Sequence, residues 1–188
     1  MIIYVAPKDA DMYKRTLKYA QENKIRMIVV NESGLFEEVN KAKSYHYDSS
    51  QTYMFGEAET MWIVGHGNTE EIGDKKGGVT ITADSLVSFL KSTVIAQGNK
   101  YRGSIVIDTC KSGVRNDQKT TFADRVFNGL TSDFPKATVG GWIGSVHGRI
   151  SGGRIELMGQ EFSGDEGFAW ANRKRPEVGD HDVLAKLA

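Results

Sequence analysis

The chain has 188 residues, a formal net charge of zero from 24 basic and 24 acidic side chains, and one cysteine. That length suits one domain with a real core, the balanced charge gives no global pull toward nucleic acid or an anionic membrane, and a lone cysteine excludes an internal disulfide framework or a multi-cysteine zinc site. No stretch reaches the ~18 apolar residues of a membrane span, and the N-terminal MIIYVAPKDADMYKR lacks a basic n-region, so the expectation is a cytoplasmic chain, or one delivered without an N-terminal signal peptide.

In chain order, Ile2–Ala6 is the first compact apolar run, as suits a strand buried on both faces of a parallel sheet. Tyr13, Thr16, Leu17 and Ala20 then recur at i, i+3, i+4 and i+7, one face of an amphipathic helix. Arg26–Val30 is the second run. Leu35–Lys43, entered through Glu32-Ser33-Gly34, predicts a helix with a weaker apolar face. Thr60–Val64 (TMWIV) is the third strand, and Ile72–Thr82, with its Gly-Gly turn, a surface hairpin. Leu86, Phe89, Leu90 and Val94 mark a second helix face, and Ser104–Ile107 a fourth strand. Phe122, Val126, Phe127 and Leu130 mark a third helix, opened by a capping box at Thr121 and Asp124. Ala137–Ile143 is the fifth strand, and Arg149–Met158 a hairpin or antiparallel edge strand. From about Phe168 the chain turns polar, carries Arg173-Lys174-Arg175, and reads as a loosely ordered tail. This alternation predicts an α/β three-layer sandwich, a mostly parallel sheet flanked by helices with surface β-hairpins, as one domain over 1–188.

Ligands of open α/β sheets bind beyond the carboxyl ends of the strands. Gly65-His66-Gly67-Asn68 follows TMWIV, and Asp108-Thr109-Cys110-Lys111-Ser112-Gly113 follows SIVI, whereas the first two strands end in Pro7-Lys8 and Asn31-Glu32 with nothing comparable. If the two strands are neighbours, His66 and Cys110 emerge on one rim. A thiol of ordinary pKa, about 8.5, is only a few per cent thiolate at neutral pH, so a nearby imidazole helps to generate the nucleophile. Glycines flanking His66 let substrate approach, and the N–H groups of Gly67 and Cys110 are natural oxyanion donors. Taken alone, either residue is more often structural; the constellation carries the argument.

A strand ending in Gly-His-Gly, then a hairpin, a helix and a strand ending in Asp-x-Cys-x-Ser-Gly, resembles the caspase-like cysteine peptidases, the clan of caspases, metacaspases, legumain, clostripain and gingipains. The spacing of His66 from Cys110 is close to the ~50 residues of the caspase signature. The motif is nearest the metacaspase form, with Thr109 and Lys111 where that form has Ser and His. The resemblance implies a caspase-haemoglobinase-like fold and a dyad in which Cys110 attacks the scissile carbonyl and His66 protonates the leaving amine. It also implies that Asp108 lines the primary pocket and selects Arg or Lys in a protein or peptide substrate, or in the chain itself. The competing role for Asp108 is to cap the following turn.

In size the chain is also similar to the autoprocessing protease domains of bacterial toxins. That likeness implies a preference for Leu and activation by a polyanion such as inositol hexakisphosphate, on a basic surface from Lys75-Lys76, Arg149, Arg154 and Arg173-Lys174-Arg175; calcium is the other candidate activator. No cofactor is required by any motif. A non-catalytic interaction scaffold is the third reading, disfavoured because His66 and Cys110 are both present. Gly141 and Trp142, in GGWIG, are candidate substrate-binding residues, with a peptide adding there by β-augmentation and Trp142 as an apolar wall. His147 reads as a surface residue, and His46 and His181 take no role. Four histidines set singly show no zinc spacing, and neither a dinucleotide fingerprint nor a phosphate-cradling loop is present.

Overall fold

Each apolar run becomes a strand in the computed structural model, which describes residues 1–30, 36–38, 57–74, 78–95, 100–143, 148–151, 154–157 and 168–171. The first half holds β1 (Ile2–Tyr4), α1 (Ala10–Glu22), β2 (Met27–Val30), β3 (Phe36–Glu38), β4 (Met61–Val64), β5 (His66–Gly67) and β6 (Glu71–Gly73). The second holds β7 (Thr80–Thr82), α2 (Ala83–Phe89), β8 (Ser104–Asp108), α3 (Phe122–Leu130), β9 (Thr138–Trp142), β10 (Gly148–Ser151), β11 (Arg154–Leu157) and β12 (Phe168–Trp170). Among the described residues no helix is long and apolar enough to cross a membrane.

The main sheet runs β12-β9-β8-β4-β1-β2-β3. Its inner five strands are parallel, and β3 and β12 close the two margins antiparallel. Side chains alternate between two cores. Ile3, Val5, Ile63, Ile105, Ile107 and Val139 pack with Leu86 and Val87 of α2 and Phe122, Val126 and Leu130 of α3. Ile2, Tyr4, Met27, Val29 and Val64 pack on the other face with Tyr19 and Ala20 of α1. Helices therefore cover both faces, which is why the strands read as continuous apolar runs rather than alternating ones.

Helix starts follow local chemistry. The Asp9 carboxylate accepts the Met12 N–H (2.8 Å) and opens α1. Thr121 and Asp124 form the predicted capping box, at 2.8 and 3.1 Å, and open α3; such a cap stabilises by about 1 kcal/mol. The second predicted helix is regular only to Phe89 and passes into a π-type turn over Leu90–Val94.

Two expectations are corrected. Phe36–Glu38, inside the predicted Leu35–Lys43 helix, is a strand antiparallel to β2; the other residues of that helix lie outside the described ones. Phe168–Trp170, at the start of the expected loose tail, is an edge strand on β9. In both places a short segment satisfies the backbone N–H and C=O groups that an outer parallel strand would otherwise leave open, and that requirement overrides local pattern. The first predicted hairpin is a three-stranded sheet, because β5 joins β6 and β7. The second is the β10–β11 hairpin.

The strand order also locates a crevice. From β1 the chain goes outward to β2 on one side, then crosses to β4 on the other. Such a reversal leaves a gap between the diverging connections at the carboxyl end, the usual ligand position in open α/β sheets.

Candidate active site

β4 and β8 are parallel neighbours, with Val64 opposite Asp108. Two residues beyond that pair lie His66 and Cys110, so both leave the sheet on one rim. Their connections touch: a Cβ built on Gly67 would stand 2.6 Å from Thr109 Oγ1 and 3.2 Å from the Cys110 carbonyl oxygen. A side chain there would push the two loops apart. Gly67 also lies at a chosen point of its hairpin. The Asn68 N–H donates to the Glu71 carbonyl (3.0 Å), and Gly67 is opposite Ile72. By the alternation of an antiparallel ladder, the Gly67 N–H then points away from β6, as an oxyanion donor would have to.

His66 has a partner that the sequence reading missed. Its Nε2 lies 2.8 Å from Asp9 Oδ2, the two side chains being 25 and 30 % exposed. Asp9 follows β1 and His66 follows β4, so the pair spans the crevice where strand order reverses. First the Met12 N–H, and then His66, hold the Asp9 carboxyl below its ordinary value. An ionised carboxylate only accepts hydrogen bonds, so Nε2 carries the proton and Nδ1 is the ring nitrogen with the lone pair. The expectation that nothing of note follows the first strand is therefore corrected. The signal in the sequence was an Asp at a helix start; that β1 neighbours β4 was not readable there. Asp74 ties the same elements, accepting the N–H of Lys8 (2.8 Å) and of Val79 (2.9 Å).

Asp9→Asn keeps an N-cap acceptor but loses the charge on Nε2. Peptide turnover is expected to fall about 10- to 100-fold, with stability within about 1 kcal/mol of the wild type. Melting curves and kcat measured side by side check this, and unchanged turnover would leave Asp9 as a helix cap only.

The loop carrying Cys110 is fixed from below by Ser112. Its buried hydroxyl donates, in a shared bond, to the carbonyls of Ile107 (2.9 Å) and Thr109 (3.0 Å), and accepts the Trp142 N–H (3.1 Å). The Gly113 N–H donates to the Trp142 carbonyl (2.8 Å) and the Ala123 N–H to the Ser112 carbonyl (3.0 Å). Lys111, next to the half-buried Cys110, has φ of 57°, the left-handed region. A lysine pays a penalty there that glycine would not, and it persists because the loop is held on both sides.

Those bonds correct the reading of Gly141. A Cβ there would meet Ser112 Oγ at 2.6 Å and Gly113 N at 3.0 Å, so this glycine admits the loop that carries Cys110 rather than a ligand. Nor can a peptide add to β9, because β8 occupies one edge and β12 the other. Trp142 is 1 % exposed and forms no outer wall.

Asp108 is 2 % exposed, and neither carboxylate oxygen meets a donor in hydrogen-bonding geometry among the described residues. Burial pushes its pKa up to about 7, and the Trp142 indole, close but not aligned as a hydrogen bond, offsets a little of that rise. A turn-capping role for Asp108 finds no bonded N–H among the described residues. The segment 75–77, His46, His147, His181 and Arg173-Lys174-Arg175 lie outside the described residues, as do the side chains of Arg149 and Arg154. A scan against protein-family models matches no family, and a search of curated proteins finds no match.

Proposed function

We propose that the chain is a cysteine endopeptidase of caspase-like type, with His66 and Cys110 as its dyad and Asp9 orienting the imidazole. The observation that carries this reading is the Asp9–His66 contact (2.8 Å) at the end of β4, beside the strand that leads to Cys110. Cys110 Sγ would attack the scissile carbonyl carbon as its proton passes to His66, giving a tetrahedral oxyanion held by the Gly67 and Cys110 N–H groups. The C–N bond then breaks, His66 gives the proton to the leaving amine, and water hydrolyses the thioester.

For specificity, a buried carboxylate that meets no donor in hydrogen-bonding geometry among the described residues favours a cationic substrate side chain. An Arg or Lys before the scissile bond would supply the missing charge-assisted bonds to Asp108, with Trp142 alongside. Both oxygens are closed to solvent, so engagement requires the cover over Asp108 to open as substrate binds.

The test is a panel of fluorogenic peptides with Arg, Lys, Leu, Asp or Asn before the scissile bond. Separate wells receive inositol hexakisphosphate or calcium, and intact mass reports self-cleavage. Turnover after Arg or Lys is expected. Turnover only after Leu with the polyanion would favour a ligand-activated autoprocessing module, and silence throughout would favour a scaffold.

A further inference from the structure

Helix α3 begins where the nucleophile loop ends, and one turn in it reaches back to the hairpin that carries His66. Arg125 Nη2 donates to the carbonyls of Thr69 (2.6 Å) and Glu70 (3.3 Å), and Nη1 donates to the Glu70 carboxylate (3.0 Å). The guanidinium carbon lies 5.6 Å from the ring centroid of buried Phe122, so the stem is held as well as the head.

What Arg125 grips is a stiff turn. Asn68 Oδ1 accepts the N–H groups of Glu70 (2.7 Å) and Glu71 (3.0 Å), and the Asn68 N–H donates to the Glu71 carbonyl (3.0 Å). Gly67 and His66 directly precede this turn, so a displacement of the turn carries them with it. At the other end of the tie, the Ala123 N–H donates to the Ser112 carbonyl (3.0 Å), fixing α3 to the loop of Cys110. One guanidinium therefore joins the segment bearing the imidazole to the segment bearing the thiol. Asp74 secures the opposite flank of the hairpin, through the Lys8 N–H.

We propose that Arg125 is a positioning residue that sets the approach of His66 to Cys110 by clamping the β5–β6 turn to α3. The inference rests on the peptidase reading and adds a residue to it. Arginine suits the task because a planar fork meets two carbonyls and a carboxylate at once, whereas a lysine ammonium is a single point charge on a flexible stem.

The chain has one cysteine, so iodoacetamide alkylation followed by intact mass reports Cys110 alone. Alkylation rates between pH 5 and 9, with kcat and KM on the best peptide, are compared for wild type, His66→Ala, Arg125→Ala, Arg125→Lys and Glu70→Ala. Arg125→Ala is expected to shift the pH profile toward that of His66→Ala and to lower kcat by about 100-fold, with KM changed less than about threefold. Arg125→Lys should recover part of the loss, and Glu70→Ala, which removes one of three bonds, should lose less than about tenfold. A wild-type profile and kcat in Arg125→Ala would overturn the proposal. If that variant fails to fold by circular dichroism, Arg125→Lys decides instead, and a wild-type profile and kcat there overturn it equally. Failure of the peptidase reading looks different: wild-type and His66→Ala profiles would then coincide, which takes this inference down with it.

Discussion

Cys110→Ala is expected to remove peptide turnover, by at least about a thousandfold, because without the sulfur no acyl-enzyme forms. His66→Ala should fall by about 10²- to 10⁴-fold, the usual contribution of positioned proton transfer. Both variants should keep the fold. Cys110 is only half buried and bears on neither core cluster, while the Ser112 bonds that shape its loop do not involve the thiol. The measurement is initial rate under the best conditions of the peptide panel, with circular dichroism on the same samples. Wild-type turnover in Cys110→Ala would sink the mechanism. A loss accompanied by unfolding would be uninformative for His66 alone, and for that reason Asp9→Asn, which spares the ring, is read beside it.

The second large effect concerns Asp108, and it separates stability from function. The unfolded chain holds this carboxyl near the ordinary value of about 3.9, while burial in the fold raises it to about 7. Between those values the folded chain keeps a proton that the unfolded chain has released. Stability therefore falls as pH climbs from about 4 to about 7 and levels off above that. Asp108→Asn removes this dependence. The variant should melt several degrees above wild type at pH 8, and the two should converge near pH 4. Asp9 contributes with the opposite sign, its lowered carboxyl losing stability as pH falls, but it is common to both proteins and cancels in the difference. In the peptide panel the same variant should lose turnover after Arg and Lys by 100-fold or more, since the anion that pairs with them is gone. A more stable protein that still cleaves after Arg would make Asp108 a structural acid and remove it from the pocket. Equal melting at pH 8 would mean that the carboxylate finds a partner in solution.

The five parallel strands were legible because burial on two faces leaves a dense apolar run, and such a run survives in one dimension. Thr121 and Asp124 were legible for a similar reason: a capping box is a purely local device. The placement of His66 and Cys110 on one rim followed from reading what comes after each run, and the β4–β8 pairing then brought those ends together. What could not be read was strand order. Asp9 looked like an ordinary helix start because its second role depends on β1 lying beside β4, a contact between segments far apart in sequence. The strands Phe36–Glu38 and Phe168–Trp170 escaped for the same reason. Three residues are too few to show alternation, and their conformation is dictated by the open edge they cover. Asp108 was legible as a candidate but not as a buried acid, since burial of a polar side chain at a strand end is decided by what packs above it.

The position of β1 has a consequence for biosynthesis. β1 is synthesised before the other described strands and lies inside the sheet, between β2 and β4. It can pair early with β2, but its other edge waits for β4, and β4 in turn waits for β8. The loop that carries Cys110 settles only after β9 is made, because the Trp142 N–H and carbonyl that bind Ser112 and Gly113 arrive with that strand. Pairing of this long range is slow and falls late in folding. A nascent chain thus carries Cys110 before the loop around it can close. If the chain cuts itself or its neighbours, the order of synthesis would withhold that activity until β9 has joined the sheet.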